Sequence, residues 1–305
     1  MNSLTIGSRR SQLAQTQSNL IRQNLLTAWT GLRVEVVLFD TQGDLNRTDP
    51  LPSIGGKGLF TLELEEALRR HQIDLAVHSL KDLPIEDSPG LMVVAVAQRA
   101  AVNDVLVSRI ANGLDDLPSG AVVGTSSLRR AAQILALRPD LRLKDIRGNV
   151  DTRLRKLDDP AQGYDAIVLA QAGLDRLNYQ LEHAHPISED MILPAPGQGA
   201  LAVQSRADDL ATTAYLEILD HAETRAAVTA ERAFLGGLGG GCSLPVGALA
   251  RVDDDRLFLQ AVVGDATGTR LIKVSGHGSI NEAQALGDQL ARQALDQGAE
   301  NLLQY

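Results

Sequence analysis

The sequence predicts an α/β fold of two lobes followed by a small α+β domain. Three patterns carry that reading. Over the first two thirds of the 305 residues, short apolar runs alternate with helical patterns, as in largely parallel sheets covered by helices. In the last third, strands follow one another and a helix closes them. The length suits two or three domains at roughly 100–200 residues each.

The elements follow in order. Residues 4–6 form a strand and 11–28 a helix, then 34–39 a strand. A polar stretch with Gly and Pro runs from 40 to 57. Residues 58–70 are helical and 73–77 a strand. The runs 91–97 and 105–108 are strand-like. Residues 121–123 are a strand and 127–137 a helix, which Pro139 stops because proline offers no N–H and blocks the preceding turn. Residues 141–146, 150–157 and 166–169 repeat strand, helix, strand. Residues 194–200, Pro-Ala-Pro-Gly-Gln-Gly-Ala, read as a hinge or a crossover between lobes before a strand at 201–204. A helix over 222–235 leads into a Gly-rich turn. Strands near 246–250, 257–263 and 270–274 and a helix over 281–294 complete the chain. The domain boundary falls near residue 218.

Composition narrows the class. Hydrophobic residues make up 44% of the chain and aromatics 3%, so Leu, Val, Ile and Ala must fill the cores. The net charge of -9 argues against a nucleic-acid binder, which needs a basic face. One cysteine excludes an internal disulfide and a multi-cysteine metal site, and suits a reducing compartment. No basic start followed by an apolar stretch marks a signal peptide. No apolar run reaches the ~18 residues of a membrane span. The expectation is a cytosolic protein without a metal.

Against that acidic background the arginines cluster. Gly7-Ser8-Arg9-Arg10-Ser11 follows the first strand and opens a helix. Gly124-Thr125-Ser126-Ser127-Leu128-Arg129-Arg130 does the same in the second lobe. Hydroxyls and backbone N–H groups at a helix start attract anions, although Ser and Thr also cap helices routinely. Cations in a first turn oppose the helix dipole, so Arg9, Arg10, Arg129 and Arg130 suit a bound anion. Arg147-Gly148-Asn149 ends a strand and Arg153 lies in the next helix. No G-x-x-x-x-G-K-[ST] phosphate loop is present. Arginine's planar fork pairs with carboxylates as readily as with phosphates, so a ligand with several carboxylates is as good a reading as a nucleotide. Two such lobes would present anion sites at the carboxyl ends of their strands.

Three further segments carry chemistry. His78-Ser79-Leu80-Lys81-Asp82-Leu83-Pro84 puts an imidazole, an ammonium and an acid at a strand end. Lys81 beside Asp82 favours the ionised acid, which then serves acid–base work or stabilises a cation. Gly55, Gly56, Lys57 and Gly58 suggest a loop able to fold over a ligand. Cys242 follows Gly239-Gly240-Gly241 and precedes Ser243-Leu244-Pro245. Most lone cysteines are small buried hydrophobes, but a thiol on such a turn is placed to be reached. Two readings stand on these residues. One is an enzyme acting on a polyanion, with Cys242 covalently engaged and Asp82 as acid–base group. The other is a two-lobed anion-binding protein with an inert cysteine.

Taken together, the segments from Val77 to Pro84 and from Val123 to Arg130, with Arg147-Gly148-Asn149-Val150, Pro196-Gly197-Gln198-Gly199-Ala200 and Gly240-Gly241-Cys242, resemble the porphobilinogen deaminases, or hydroxymethylbilane synthases. The matches keep the family's order and span nearly the whole chain. The resemblance implies a monomeric cytoplasmic transferase that joins four porphobilinogens head to tail with loss of ammonia and releases the linear tetrapyrrole by hydrolysis. It implies a dipyrromethane cofactor, held as a thioether on Cys242, from which the chain grows. It implies two lobes like those of periplasmic binding proteins: lobe one from 1–99 and 200–217, lobe two from 100–199, and a cysteine-bearing domain from 218–305. It assigns Asp82 as the catalytic aspartate, stabilising the cationic azafulvene left when ammonia departs. Arg9, Ser11, Lys81, Thr125, Ser127, Arg129, Arg130, Arg147, Arg153, Arg176 and Gln198 match positions that bind cofactor or substrate. The polar stretch from 40 to 57 matches a mobile cover. Gln42 stands where arginine is common, Arg10 adds a charge beside Arg9, and Gly239 replaces an acid frequent before Gly-Gly-Cys.

Overall fold

The computed structural model describes residues 3–41, 61–86, 88–240 and 244–303. The chain folds as two units, Met1–Ala100 with Gly199–Arg225 and Ala101–Gln198 with Ala226–Tyr305. Elements are numbered along the chain.

The first unit holds β1 (Ser3–Arg9), α1 (Gln12–Ala28), β2 (Arg33–Phe39), α2 (Leu62–Arg69), β3 (Leu75–Ser79) and β4 (Leu91–Val96). The later residues add β10 (Leu201–Arg206) and α6 (Leu210–Leu216). The strands form one sheet in the order β2-β1-β3-β10-β4. β1 runs parallel to β2 and β3, while β10 is antiparallel to both neighbours. Ser11 caps α1, its hydroxyl accepting from the Ala14 N–H at 3.3 Å. α1 buries Ala14, Gln17, Ser18, Ile21 and Leu25, a stripe at the helical spacing of three and four residues. Ile21 and Leu25 meet Leu4, Ile6, Leu75, Val77, Leu201 and Val203 in the core. α2 starts four residues later than the helix expected over 58–70, and residues 58–60 lie outside the described residues.

The second unit begins with β5 (Asp104–Ser108), β6 (Val122–Gly124), α3 (Leu128–Leu137), β7 (Arg142–Lys144), α4 (Val150–Asp158), β8 (Ala166–Ala170), α5 (Gln171–Arg176) and β9 (Ala184–Pro186). Its sheet runs β7-β6-β8-β5-β9. β6 is parallel to β7 and β8, and β5 is antiparallel to both of its neighbours. The two sheets therefore share one strand order. In each, the antiparallel fourth strand lies next to a crossover: β10 follows the return near residue 200, and β5 follows the exit near residue 100. The core packs Leu106, Val123, Ile134, Ala166, Val168 and Ile192.

The C-terminal part carries α7 (Ala222–Gly237), β11 (Val246–Asp253), β12 (Arg256–Gly264), β13 (Leu271–Ser279), α8 (Ala283–Asp296) and α9 (Glu300–Leu303). The three strands form an antiparallel sheet in sequence order. Two close approaches explain its attachment within the second unit. Gly268, at φ +70, turns between β12 and β13 so near α3 that a Cβ would lie 2.6 Å from the Ala132 carbonyl oxygen. Gly287 brings α8 onto α7, where a Cβ would lie 2.3 Å from the Ala230 carbonyl oxygen. No helix among the described residues is long and apolar enough to cross a membrane.

Candidate functional site

In the first unit the expected residues sit at the carboxyl ends of the neighbouring parallel strands β1 and β3. Arg9 ends β1 and is half-buried. Arg10 follows it and is exposed, and its guanidinium donates to Asp40 at 2.7 Å. Both arginines precede the Ser11 cap, so neither lies in the first turn of α1 as expected. The likeness between the lobes is thus one of strand, cap and helix, not of arginine positions. The pairing with Asp40 also gives Arg10 a place: it joins the segment after β1 to the one after β2.

β3 leads directly into a 3-10 turn, Leu80–Asp82. Buried Leu80 and Leu83 flank the turn. The Leu80 N–H donates to the Ala200 carbonyl at 3.0 Å, and Leu83 N–H donates back to Leu80 at 3.1 Å. With its flanks so anchored, the turn leaves Asp82 exposed and Lys81 half-buried. Gln17 of α1 donates to the Ser79 hydroxyl at 2.9 Å and fixes the strand end from the helix side.

His78 is not a group of this strand end. β3 extends to Ser79, two residues past the expected stop, so His78 is an interior strand residue, buried at 5% exposure. Its Nε2 lies 3.2 Å from Gln204 Oε1 on β10. Burial pushes its pKa down to about 4; the Gln204 bond opposes this and the Arg9 charge adds to it. The ring is neutral at physiological pH.

In the second unit the expected residues follow three adjacent parallel strands, β7, β6 and β8. After β6, Thr125 is buried and its hydroxyl accepts from the Ser127 N–H at 3.2 Å. Ser127 caps α3, its hydroxyl accepting from the Arg130 N–H at 3.4 Å. After β7, Gly148 takes φ +115, open mainly to glycine. Asn149 then caps α4 by accepting from the Thr152 N–H at 2.9 Å. This turn carries Arg147, and Arg153 Nε donates back to the Gly148 carbonyl at 2.9 Å. After β8, α5 ends at Arg176, whose pKa burial lowers against the opposing pull of Asp175. Arg147, Arg153 and Arg176 are all half-buried.

Arg129 and Arg130 differ from these three. They are 4% and 6% exposed and converge on Asp104, a residue that no sequence motif marks. Asp104 Oδ2 lies 2.8 Å from Arg129 Nη2. The contact is an ion pair without hydrogen-bond alignment. Asp104 Oδ1 accepts from Arg130 Nη2 at 2.7 Å and from Gln198 Nε2 at 2.9 Å. Gln198 therefore buttresses this acid from the return crossover. Burial alone would raise the Asp104 pKa, but Arg129 and Arg130 outweigh it and hold the carboxyl well below the usual carboxylate range. Burial lowers the pKa of Arg129, which Asp104 opposes. Two guanidiniums against one carboxylate leave a surplus positive charge in a buried place, which favours a bound anion.

The remaining expected residues, Gly55, Gly56, Lys57, Gly58 and Cys242, lie outside the described residues. Of the three glycines before the cysteine, Gly239 and Gly240 are described. Gly239 and Gly240 take φ +90 and +45, and the Gly240 N–H donates to the Leu235 carbonyl at 3.1 Å. They end α7 as left-handed caps. At Gly239 that conformation would strain an acidic residue.

Residues 4–214 match the family model "Porphobilinogen deaminase, dipyromethane cofactor binding domain", and residues 225–296 match "Porphobilinogen deaminase, C-terminal domain". A porphobilinogen deaminase of Roseiflexus castenholzii (strain DSM 13941 / HLO8) is 49% identical over 302 residues, covering 99% of each chain. That of Roseiflexus sp. (strain RS-1) is 49% identical over 300 residues, covering 98% of each. Among solved structures, the Bordetella pertussis BvgS periplasmic VFT2 domain aligns over 71% of this chain and 86% of its own, at 13% identity and a TM-score of 0.41. By its two family models and its near full-length relatives, the chain belongs to the porphobilinogen deaminase family, the transferases of tetrapyrrole biosynthesis that work on a dipyrromethane cofactor.

Proposed function

We propose that this chain condenses four porphobilinogen molecules head to tail, with Asp82 as the catalytic group and Cys242 as the cofactor's attachment point. The observation that carries the reading is the arginine set at the carboxyl ends of β6, β7 and β8, with its surplus buried charge at Arg129 and Arg130. Each pyrrole of the cofactor and substrate bears an acetate and a propionate. A polycarboxylate of that kind needs distributed, bidentate cationic partners. When bound, the dipyrromethane supplies the pyrrole carbon from which the chain starts.

The division of labour follows from placement. Thr125, Ser127, Arg129, Arg130, Arg147, Arg153 and Arg176 hold carboxylates. Arg9, Ser11 and Lys81 serve the same purpose at the ends of β1 and β3. Gln198 serves indirectly, through Asp104. Asp82 is exposed on an anchored turn, where a carboxylate is free to hydrogen-bond a pyrrole N–H. It stabilises the positive charge that develops as ammonia leaves and accepts the ring proton lost after each new bond. The segment holding Gly55, Gly56, Lys57 and Gly58 acts as the cover. The break between the two family matches supports a terminal domain from 218 to 305, and the crossovers near residues 100 and 199 support lobe one (1–99 and 200–217) and lobe two (100–199). A single cysteine in 305 residues supports a reducing, cytoplasmic setting, and we read the enzyme as a monomer.

Intact mass tests the reading. The purified chain should exceed its sequence mass by one dipyrromethane, and Cys242→Ala should lose both the excess and the turnover of porphobilinogen. An unmodified wild-type chain that still turns over would overturn it.

A further inference from the structure

The geometry points to Asp104 as the positioning residue that aims Arg129 and Arg130 at ligand carboxylates. The inference rests on the assignment of these two arginines to ligand binding made above. Consecutive residues of a helix point about 100° apart, and two guanidiniums repel each other. Left to themselves, Arg129 and Arg130 would diverge. Asp104, the first residue of β5 and 1% exposed, draws one nitrogen of each fork to its two oxygens, at 2.8 Å and 2.7 Å.

Backbone carbonyls fix the other nitrogen. Arg129 Nη1 donates to Leu193 at 2.7 Å and Arg130 Nη1 to Val168 at 2.8 Å. Each guanidinium is thereby held at two points. Gln198 holds the acid in turn, donating to Asp104 Oδ1 and to the Val102 carbonyl at 2.7 Å.

Two facts set this cluster apart from a stabilising core ion pair. First, a buried charge cluster is a poor source of stability, because desolvation offsets its attraction. Second, the charges do not balance, and the buried Nε of each arginine has no hydrogen-bond partner. Both donors and positive charge are therefore left over beyond what Asp104 takes up. One carboxylate of the protein orients the pair, and the surplus remains for a carboxylate of the pyrrole chain.

The experiment compares Asp104→Asn, Arg129→Gln, Arg130→Gln and the double variant Asp104→Asn/Arg129→Gln. Three quantities are read: the ratio of dipyrromethane-bearing to bare chain by intact mass, kcat/KM for porphobilinogen per dipyrromethane-bearing molecule, and the melting temperature. Asp104→Asn should lower the mass ratio or the normalised kcat/KM by at least about tenfold. The double variant should be no more than about threefold worse than its worse parent, because Asp104 acts through the arginines. Wild-type values for both quantities in Asp104→Asn, or fully multiplicative losses in the double variant, would overturn the proposal. Should Asp104→Asn not fold, Asp104→Glu keeps the charge and shifts the carboxylate by about 1 Å. The same tenfold loss is then expected, and wild-type behaviour would overturn the proposal. If the arginine variants themselves load and turn over normally, it is the assignment of the arginines that fails. If they are impaired while the Asp104 variants are not, only the positioning role fails.

Discussion

The Ser126 hydroxyl and the Ile146 peptide exchange two hydrogen bonds: the hydroxyl donates to the Ile146 carbonyl at 3.0 Å and accepts from the Ile146 N–H at 3.1 Å. This reciprocal contact ties the segment after β6 to the segment after β7, and so ties Ser127 and Thr125 to Arg147. Ile146 is 1% exposed, so water has little access to its peptide groups.

Ser126→Ala removes both bonds and leaves a buried donor and acceptor unpaired, at a cost of about 1–3 kcal/mol. Urea unfolding should show that loss. The KM for porphobilinogen should rise severalfold, because Arg147 is no longer fixed relative to the α3 start. A variant of unchanged stability and unchanged KM would mean that the two segments are held by other contacts.

Asp82→Asn removes the charge and little volume. The buried flanks Leu80 and Leu83 keep the turn in place, so the fold and the dipyrromethane mass should be retained. Porphobilinogen should bind with a KM within severalfold of wild type. The proposed role of the carboxylate is confined to the reacting state, so kcat should fall by about 10²–10⁴. Near-normal turnover would remove Asp82 from the chemistry.

The scaffold of this site was legible, because local rules write it. Alternating apolar runs marked β1, β2, β6 and β8, and the serines capping α1 and α3 marked where strand end meets helix start. That is where an α/β sheet binds ligands. The short β9, Ala184–Pro186, had no such signal: three residues of Ala-His-Pro pair with β5 only because the sheet edge is there. The Asp104 cluster was hidden for a related reason. Asp104 lies 26 residues from Arg130 and 94 from Gln198, and sheet order alone brings them together. His78 was misplaced because β3 runs two residues further than its apolar pattern, and the partner that admits an imidazole to the sheet, Gln204, sits on a strand from the return crossover.

The burial of His78 gives the first unit a pH-dependent contribution to stability. His78 is held at a pKa of about 4 against an ordinary 6.5, so between those values the unfolded chain binds a proton that the folded chain refuses. Stability therefore rises with pH across this window. The contribution is fully present above about pH 6.5 and is lost as the pH falls toward 4, amounting to about 3 kcal/mol over the whole range. His78→Gln keeps a donor for Gln204 but does not titrate. Its unfolding free energy should fall less steeply than that of wild type between pH 7 and pH 5, the two curves converging at the acid end. Parallel curves across that interval would show that the folded imidazole takes up its proton over the same range as the unfolded one, so that burial in the sheet does not depress it.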